Sequence, residues 1–131
     1  MTGRMDERLK LDRTWLCTVV FVDLVRYSEQ SVAAQMAWKA RLNDYLGRAI
    51  ADVPEGDRVI LDTGDGAAVC FLGDPEAAMF CALRLLASLV QEEPRHEAPF
   101  HARIGVNLGP VKLVRDINGN LNALGDGINV A

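Results

Sequence analysis

Surplus positive charge is missing from this chain. Lys and Arg number 14 against 18 Asp and Glu, a formal net charge of −4. The basic residues are scattered, so no face is expected to track a nucleic-acid backbone, which takes clustered cations that displace counterions. Cysteine is scarce as well. Cys17, Cys70 and Cys81 are an odd number and each lies inside an apolar run, which reads as reduced, buried thiols in cytosol. No apolar stretch approaches the roughly 18 residues that cross a bilayer, and the N-terminal MTGRMDERLKLDR is charged throughout. The segment itself is expected to insert into no membrane, and a cytoplasmic location is expected. Internal repeats and low-complexity tracts are absent, as is a Gly-rich loop with P-loop lysine spacing, which argues against a Walker-type NTPase. The two histidines, His96 and His101, stand in EEPRHEAPFHAR with no second cluster of ligands and no nucleophile at a recognisable spacing. They read as ordinary surface or strand residues, and Trp15, Trp38, Met36 and Met79 read as core or interface.

What is present is one core's worth of apolar residues, half of a 131-residue chain, so a single domain is expected, with residues 1–14 as a polar lead-in. WLCTVVFVDLV, Trp15 to Val25, is an apolar run without alternation, which suits a central strand covered on both faces. Asp23 interrupts it near its end. From Ser28 to about Leu46 the positions Val32, Ala33, Met36, Ala37, Ala40, Leu42, Tyr45 and Leu46 recur at helical spacing, with Ser28 as N-cap. RVILD, TGDG and AAVCFLG read as a hairpin with Asp65 at its tip, because glycine tolerates the positive φ of tight turns. DPEAAMFCALRLLASLV has Asp74 at the N-cap, Pro75 at N1 and Glu76 in the first turn, a strong helix start. FHARIGVNLG alternates as a strand, and PVKLVRDINGN supplies a second strand and an Asn-Gly turn, so the pair is expected to form another hairpin. LGDGINVA opens a further helix. The order predicts an α+β fold, a ferredoxin-like antiparallel sheet with helices packed on one face.

Asp23 and Asp65 carry the chemistry. An ionised carboxylate inside an apolar sheet is unfavourable unless paired, and no Lys or Arg is expected from a flanking strand to pair with Asp23. If the first strand lies beside the hairpin, the two acids converge at one edge of the sheet. Two carboxylates with room for water and phosphate oxygens suit Mg²⁺ or Mn²⁺, and the Leu24 carbonyl could add a ligand. Val25, Arg26, Tyr27 and Ser28 would then bring helix N-terminal amides beside the metal, a phosphate site. Against this stands ordinary turn chemistry, in which each Asp simply ends a strand or shapes a turn.

Three separated motifs resemble those of the class III nucleotidyl cyclase catalytic domain. TVVFVDLVRYS is similar to the family's first strand and its metal segment, LDTGDGAAVCF to its Gly-Asp hairpin, and ARIGVNLGPV with GDGINVA to its third block. They stand in the family's order over Thr18 to Ala131. The resemblance implies that residues 15–131 form a domain converting ATP, or with less expectation GTP, into the 3',5'-cyclic nucleotide and pyrophosphate. It implies a homodimer with sites across its interface and two Mg²⁺ or Mn²⁺ ions held by Asp23 and Asp65, the two-ion logic of phosphoryl chemistry. Asn129 matches the asparagine that the family supplies from the partner subunit to orient the ribose and support the transition state.

The departures are as informative. The family's purine-reading pair falls on Leu61 and Asn122, neither of its usual combinations. Leu61 cannot hydrogen-bond, whereas the Asn122 amide could accept from adenine or donate to guanine, so weak base selectivity is expected, with a slight preference for ATP. Arg26 replaces a glycine, either contacting phosphate or pointing to solvent. The family's transition-state arginine would lie beyond Ala131, as would a phosphate-binding lysine, so the domain is expected to be incomplete at its C-terminus and this chain alone to be inactive. A second reading is therefore a degenerate cyclase-like module with a regulatory or dimerisation role. A receiver-like domain with Asp23 as phosphoacceptor needs alternating βα units, which the hairpin around Asp65 contradicts.

Overall fold

The computed structural model describes residues 10–11, 13–92 and 100–125. Among the described residues, five strands and two long α-helices follow one another: β1 (Thr14–Leu24), α1 (Val32–Ala49), β2 (Arg58–Asp62), β3 (Gly66–Phe71), α2 (Pro75–Val90), β4 (Ala102–Arg115) and β5 (Leu121–Leu124). All pairings are antiparallel, in the order β2-β3-β1-β4-β5, which is the ferredoxin-like arrangement with one added edge strand. The α+β expectation holds.

β1 is central because both of its faces are apolar. Val20, Val22 and Leu24 join Trp38, Leu42 and Leu46 of α1 and Cys81 and Leu85 of α2 in a core on the helix side. Trp15, Cys17 and Val19 point the other way and meet Val59, Cys70, Leu113 and Ala123, all from strands. The sheet coils so that its edge strands β2 and β5 touch, and Leu11, from outside the sheet, packs against this second core.

Asp74 caps α2 by accepting from the Glu76 amide at 2.8 Å, with Pro75 in the first turn. α1 starts later than its apolar spacing suggests. Ser31, not Ser28, is the N-cap, accepting from the Ala34 amide at 3.1 Å, and Tyr27–Glu29 form a single 3-10 turn. Two serines three residues apart could each cap, and the extended backbone of Gln30 settles which does.

The second expected hairpin is also rearranged. FHARIGVNLG and PVKLVRDINGN do not pair with each other: β4 runs unbroken through Gly109 and Pro110, and only its end pairs with β5, from Lys112 onward. Pro110 stands within the ladder opposite Leu16, and a Cβ on Gly125 would lie 2.8 Å from its carbonyl oxygen. Asp116 closes the Asn-Gly turn by accepting from the amides of Asn118 at 2.8 Å and Asn120 at 3.0 Å. The helix expected from GDGINVA lies outside the described residues, as does Asn129.

Candidate functional site

Residues directly opposite in a ladder share a face, and Asp23 is opposite Gly66 of β3 on one side and Arg103 of β4 on the other. Arg103 reaches its carboxylate with both ends of the fork: Nε lies 3.3 Å from Oδ1 and Nη2 3.1 Å from Oδ2. This overturns the expectation that no basic residue of a flanking strand pairs with Asp23. Nor does Asp23 lie inside an apolar sheet, since its side chain is 38% exposed. The charge of Asp23 thus has a partner without any cation from solution.

Asp65 comes to the same end of the sheet. It occupies the three-residue loop between β2 and β3, and its carbonyl accepts from the Leu24 amide at 2.7 Å. The close approach rests on glycine. A Cβ on Gly66 would collide with the Val22 carbonyl oxygen and lie 2.8 Å from the Asp23 Cα, while Gly64 adopts a φ of +84°. The loop is braced from behind: Oδ1 of Asp62 accepts from the Gly64 amide at 2.8 Å and from Lys39 Nζ at 3.0 Å. The amide bond chiefly, with the ammonium adding to it, holds the Asp62 carboxyl below its usual range against an opposing effect of desolvation.

The turn after β1 lies beside both acids, with the Val25 amide bonded to the His101 carbonyl at 2.8 Å. Arg26 has a φ of +60° at the position where the resembling motif has glycine, and its side chain is in solvent, 4.0 Å from Glu29. Tyr27 packs against the helix-side core and Ser28 is exposed. The α1 amides expected at this point stand farther along the chain, because the helix begins at Val32.

Leu61 shares the face of Asp23, one row deeper: Leu61, Ala68, Phe21 and Gly105 are successive cross-strand partners. Asn122 does not join it. Leu121 and Ala123 turn toward the second core with Leu61, so alternation sends Asn122 to the opposite face with Val114, where its side chain accepts from the Ala123 amide at 2.8 Å. A cavity of about 510 Å³ opens in front of Asp23, lined also by Phe21, Arg103, Gly105 and, from the loop that carries Asp65, by Thr63.

Asp23 lines this open space and Asp65 stands in the loop whose Thr63 lines it, so both can offer hard oxygen donors, a fit for a small divalent ion that retains water or phosphate oxygens. Among the described residues no third His, Cys, Asp or Glu joins them. Arg103 and Lys39 are the members of this site that sequence reasoning missed. Arg103 was legible in principle, since FHARIGVNLG was read as a strand, but choosing its partner on β1 requires the register.

No protein-family model matches the chain, and no curated protein matches it by sequence. Solved structures do. A bacterial light-regulated adenylyl cyclase superposes with a TM-score of 0.72 at 20% identity, covering 91% of this chain and 39% of that one. The guanylate cyclase domain of RhGC from Catenaria anguillulae, in complex with GTP, gives 0.69 at 21% identity, covering 91% and 71%. An adenylate/guanylate cyclase/hydrolase from Silicibacter pomeroyi gives 0.68 at 28% identity, covering 91% and 68%. The chain therefore has the fold of adenylyl and guanylyl cyclase catalytic domains, and the resemblance to class III cyclases read from its motifs extends to the arrangement of its strands and helices.

Proposed function

We propose that residues 15–131 are a nucleotidyl cyclase domain that converts a purine nucleoside triphosphate into the 3',5'-cyclic nucleotide and pyrophosphate in the cytoplasm. The observation that carries the reading is the juxtaposition of Asp23 with the Asp65 hairpin at one end of an open sheet face. In the reaction the ribose 3'-oxygen bonds to the α-phosphorus, the bond from that phosphorus to the pyrophosphate oxygen breaks, and the 3'-hydroxyl proton is lost. Mg²⁺ or Mn²⁺, when bound, supplies a lowered hydroxyl pKa and neutralises phosphate charge. Asp23 and Asp65 are the residues that would hold it, with the Leu24 carbonyl as a further donor and the Val25–Ser28 turn bordering the phosphates. Asn129 of the partner subunit would orient the ribose in a homodimer. Leu61 offers the base no hydrogen bond and Asn122 faces away from it, which supports weak discrimination between ATP and GTP.

One observation favours a second reading, a cyclase-like module without catalysis. Arg103 gives Asp23 a structural partner, so keeping this acid does not by itself require a metal. Product analysis of the full-length protein with ATP or GTP and Mn²⁺ or Mg²⁺, beside its Asp23→Asn variant, separates the two. Cyclic nucleotide that disappears in the variant supports the enzyme. No product from either nucleotide, in a folded dimer, supports the module.

A further inference from the structure

Lys39 belongs to the helix layer, yet its ammonium ends at the hairpin that carries Asp65. Nζ donates to the Gly66 carbonyl at 2.8 Å and to Oδ1 of Asp62 at 3.0 Å, and the side chain is only 15% exposed. Asp62 is the last residue of β2 and Gly66 the first of β3, so one cation grips both arms of the loop. The same Asp62 oxygen also holds the Gly64 amide. From the front, the Leu24 amide holds the Asp65 carbonyl, and the Gly66 backbone is packed directly on Val22 and Asp23. The loop that carries Asp65 is thus held between a backbone contact on one side and a half-buried ammonium on the other. An ion pair with Asp62 alone would matter little, because that carboxylate is 70% exposed. The bond to the Gly66 carbonyl, one residue from Asp65, is what links α1 to the site.

We propose that Lys39 is a positioning residue for Asp65, setting the height of the hairpin tip so that its carboxylate and that of Asp23 can share a divalent ion. The inference rests on the cyclase reading. It is tested with Lys39→Met, which keeps the apolar stem, and Lys39→Gln, which keeps one donor. Mn²⁺ binding is followed by electron paramagnetic resonance with a non-hydrolysable ATP analogue, and amide hydrogen exchange is measured across residues 61–68. Lys39→Met is expected to weaken Mn²⁺ binding about tenfold, the usual size for an outer-shell partner, and to speed exchange in the hairpin, with Lys39→Gln in between. Wild-type Mn²⁺ affinity in both variants overturns the inference and leaves the cyclase reading standing. A wild-type protein that binds no Mn²⁺ overturns that reading, and the inference with it.

Discussion

Arg103 lies directly across the β1–β4 ladder from Asp23 and engages both of its carboxylate oxygens, at 3.3 and 3.1 Å. The pair occupies the acid that a divalent ion would use. Because Arg103 is 76% exposed, the interaction contributes at most about 1 kcal/mol to folding. Its effect on metal binding is more visible, since any ion approaching Asp23 without a nucleotide must displace or share with the guanidinium. Arg103→Ala is expected to tighten binding of Mn²⁺ alone roughly fivefold, the factor that about 1 kcal/mol carries, with little change in melting temperature. A Mn²⁺ titration of the two proteins checks this, and equal or weaker binding in the variant contradicts it.

At Gly66 a single added methyl group meets backbone. Gly66→Ala must push β3 away from the Val22 carbonyl and the Asp23 Cα, and backbone gives way less easily than the end of a side chain. A loss of about 1–3 kcal/mol is expected, read as a shifted urea midpoint. An unchanged midpoint would mean that the β1–β3 approach is looser than described.

At Arg26 the same logic runs in reverse. A non-glycine residue at φ +60° is strained by its own Cβ, and its side chain gains only an exposed contact with Glu29 at 4.0 Å. Arg26→Gly is expected to stabilise the domain by roughly 0.5–1 kcal/mol. Thermal melts of the two proteins decide the sign.

Burial raises the thiols of Cys17 and Cys81 to about 11 and that of Cys70 to about 12. In the unfolded chain they ionise nearer their ordinary value of 9.0. Between these values the unfolded state binds fewer protons than the native one, so stability falls as pH rises above about 9. Below that pH the thiols contribute no pH dependence, and none should react with a disulfide reagent until the protein unfolds. Rapid labelling of a native thiol at pH 7 would contradict the burial of all three.

A partly buried ion pair ties α1 to the turn that follows α2. Glu92, fully buried two residues past the end of α2, accepts at Oε1 from Arg41 Nε at 2.9 Å and from the Tyr45 hydroxyl at 3.0 Å, both on α1. Glu92→Ala leaves a partly buried guanidinium without its carboxylate and is expected to destabilise by about 3 kcal/mol. Urea denaturation measures it, and a loss under about 1 kcal/mol would mean that solvent replaces the carboxylate.

The sequence disclosed the parts of this fold whose signals are local. Asp74 and Pro75 announce α2 within three residues, and the glycines of TGDG mark the hairpin that carries Asp65. It also placed Asp23 and Asp65 at a common edge, because a hairpin returning over one helix has few places beside β1. Register was not legible. Arg103 is 80 residues from Asp23 in the chain, and only the β1–β4 alignment puts the two side chains together. Lys39 was hidden for a related reason, since it meets the hairpin from the helix layer. Asn122 was read by its spacing from a motif, whereas the face it occupies is decided by how β5 pairs with the end of β4.

Binding of Mn²⁺ in the presence of a non-hydrolysable ATP analogue, compared among the wild type, Asp23→Asn and Asp65→Asn, tests most directly whether these two acids form one metal and nucleotide site. The account predicts a tight Mn²⁺ signal in the wild type that either substitution removes while the fold survives. Binding that persists unchanged in both variants, or that is absent from the folded wild type, would contradict it.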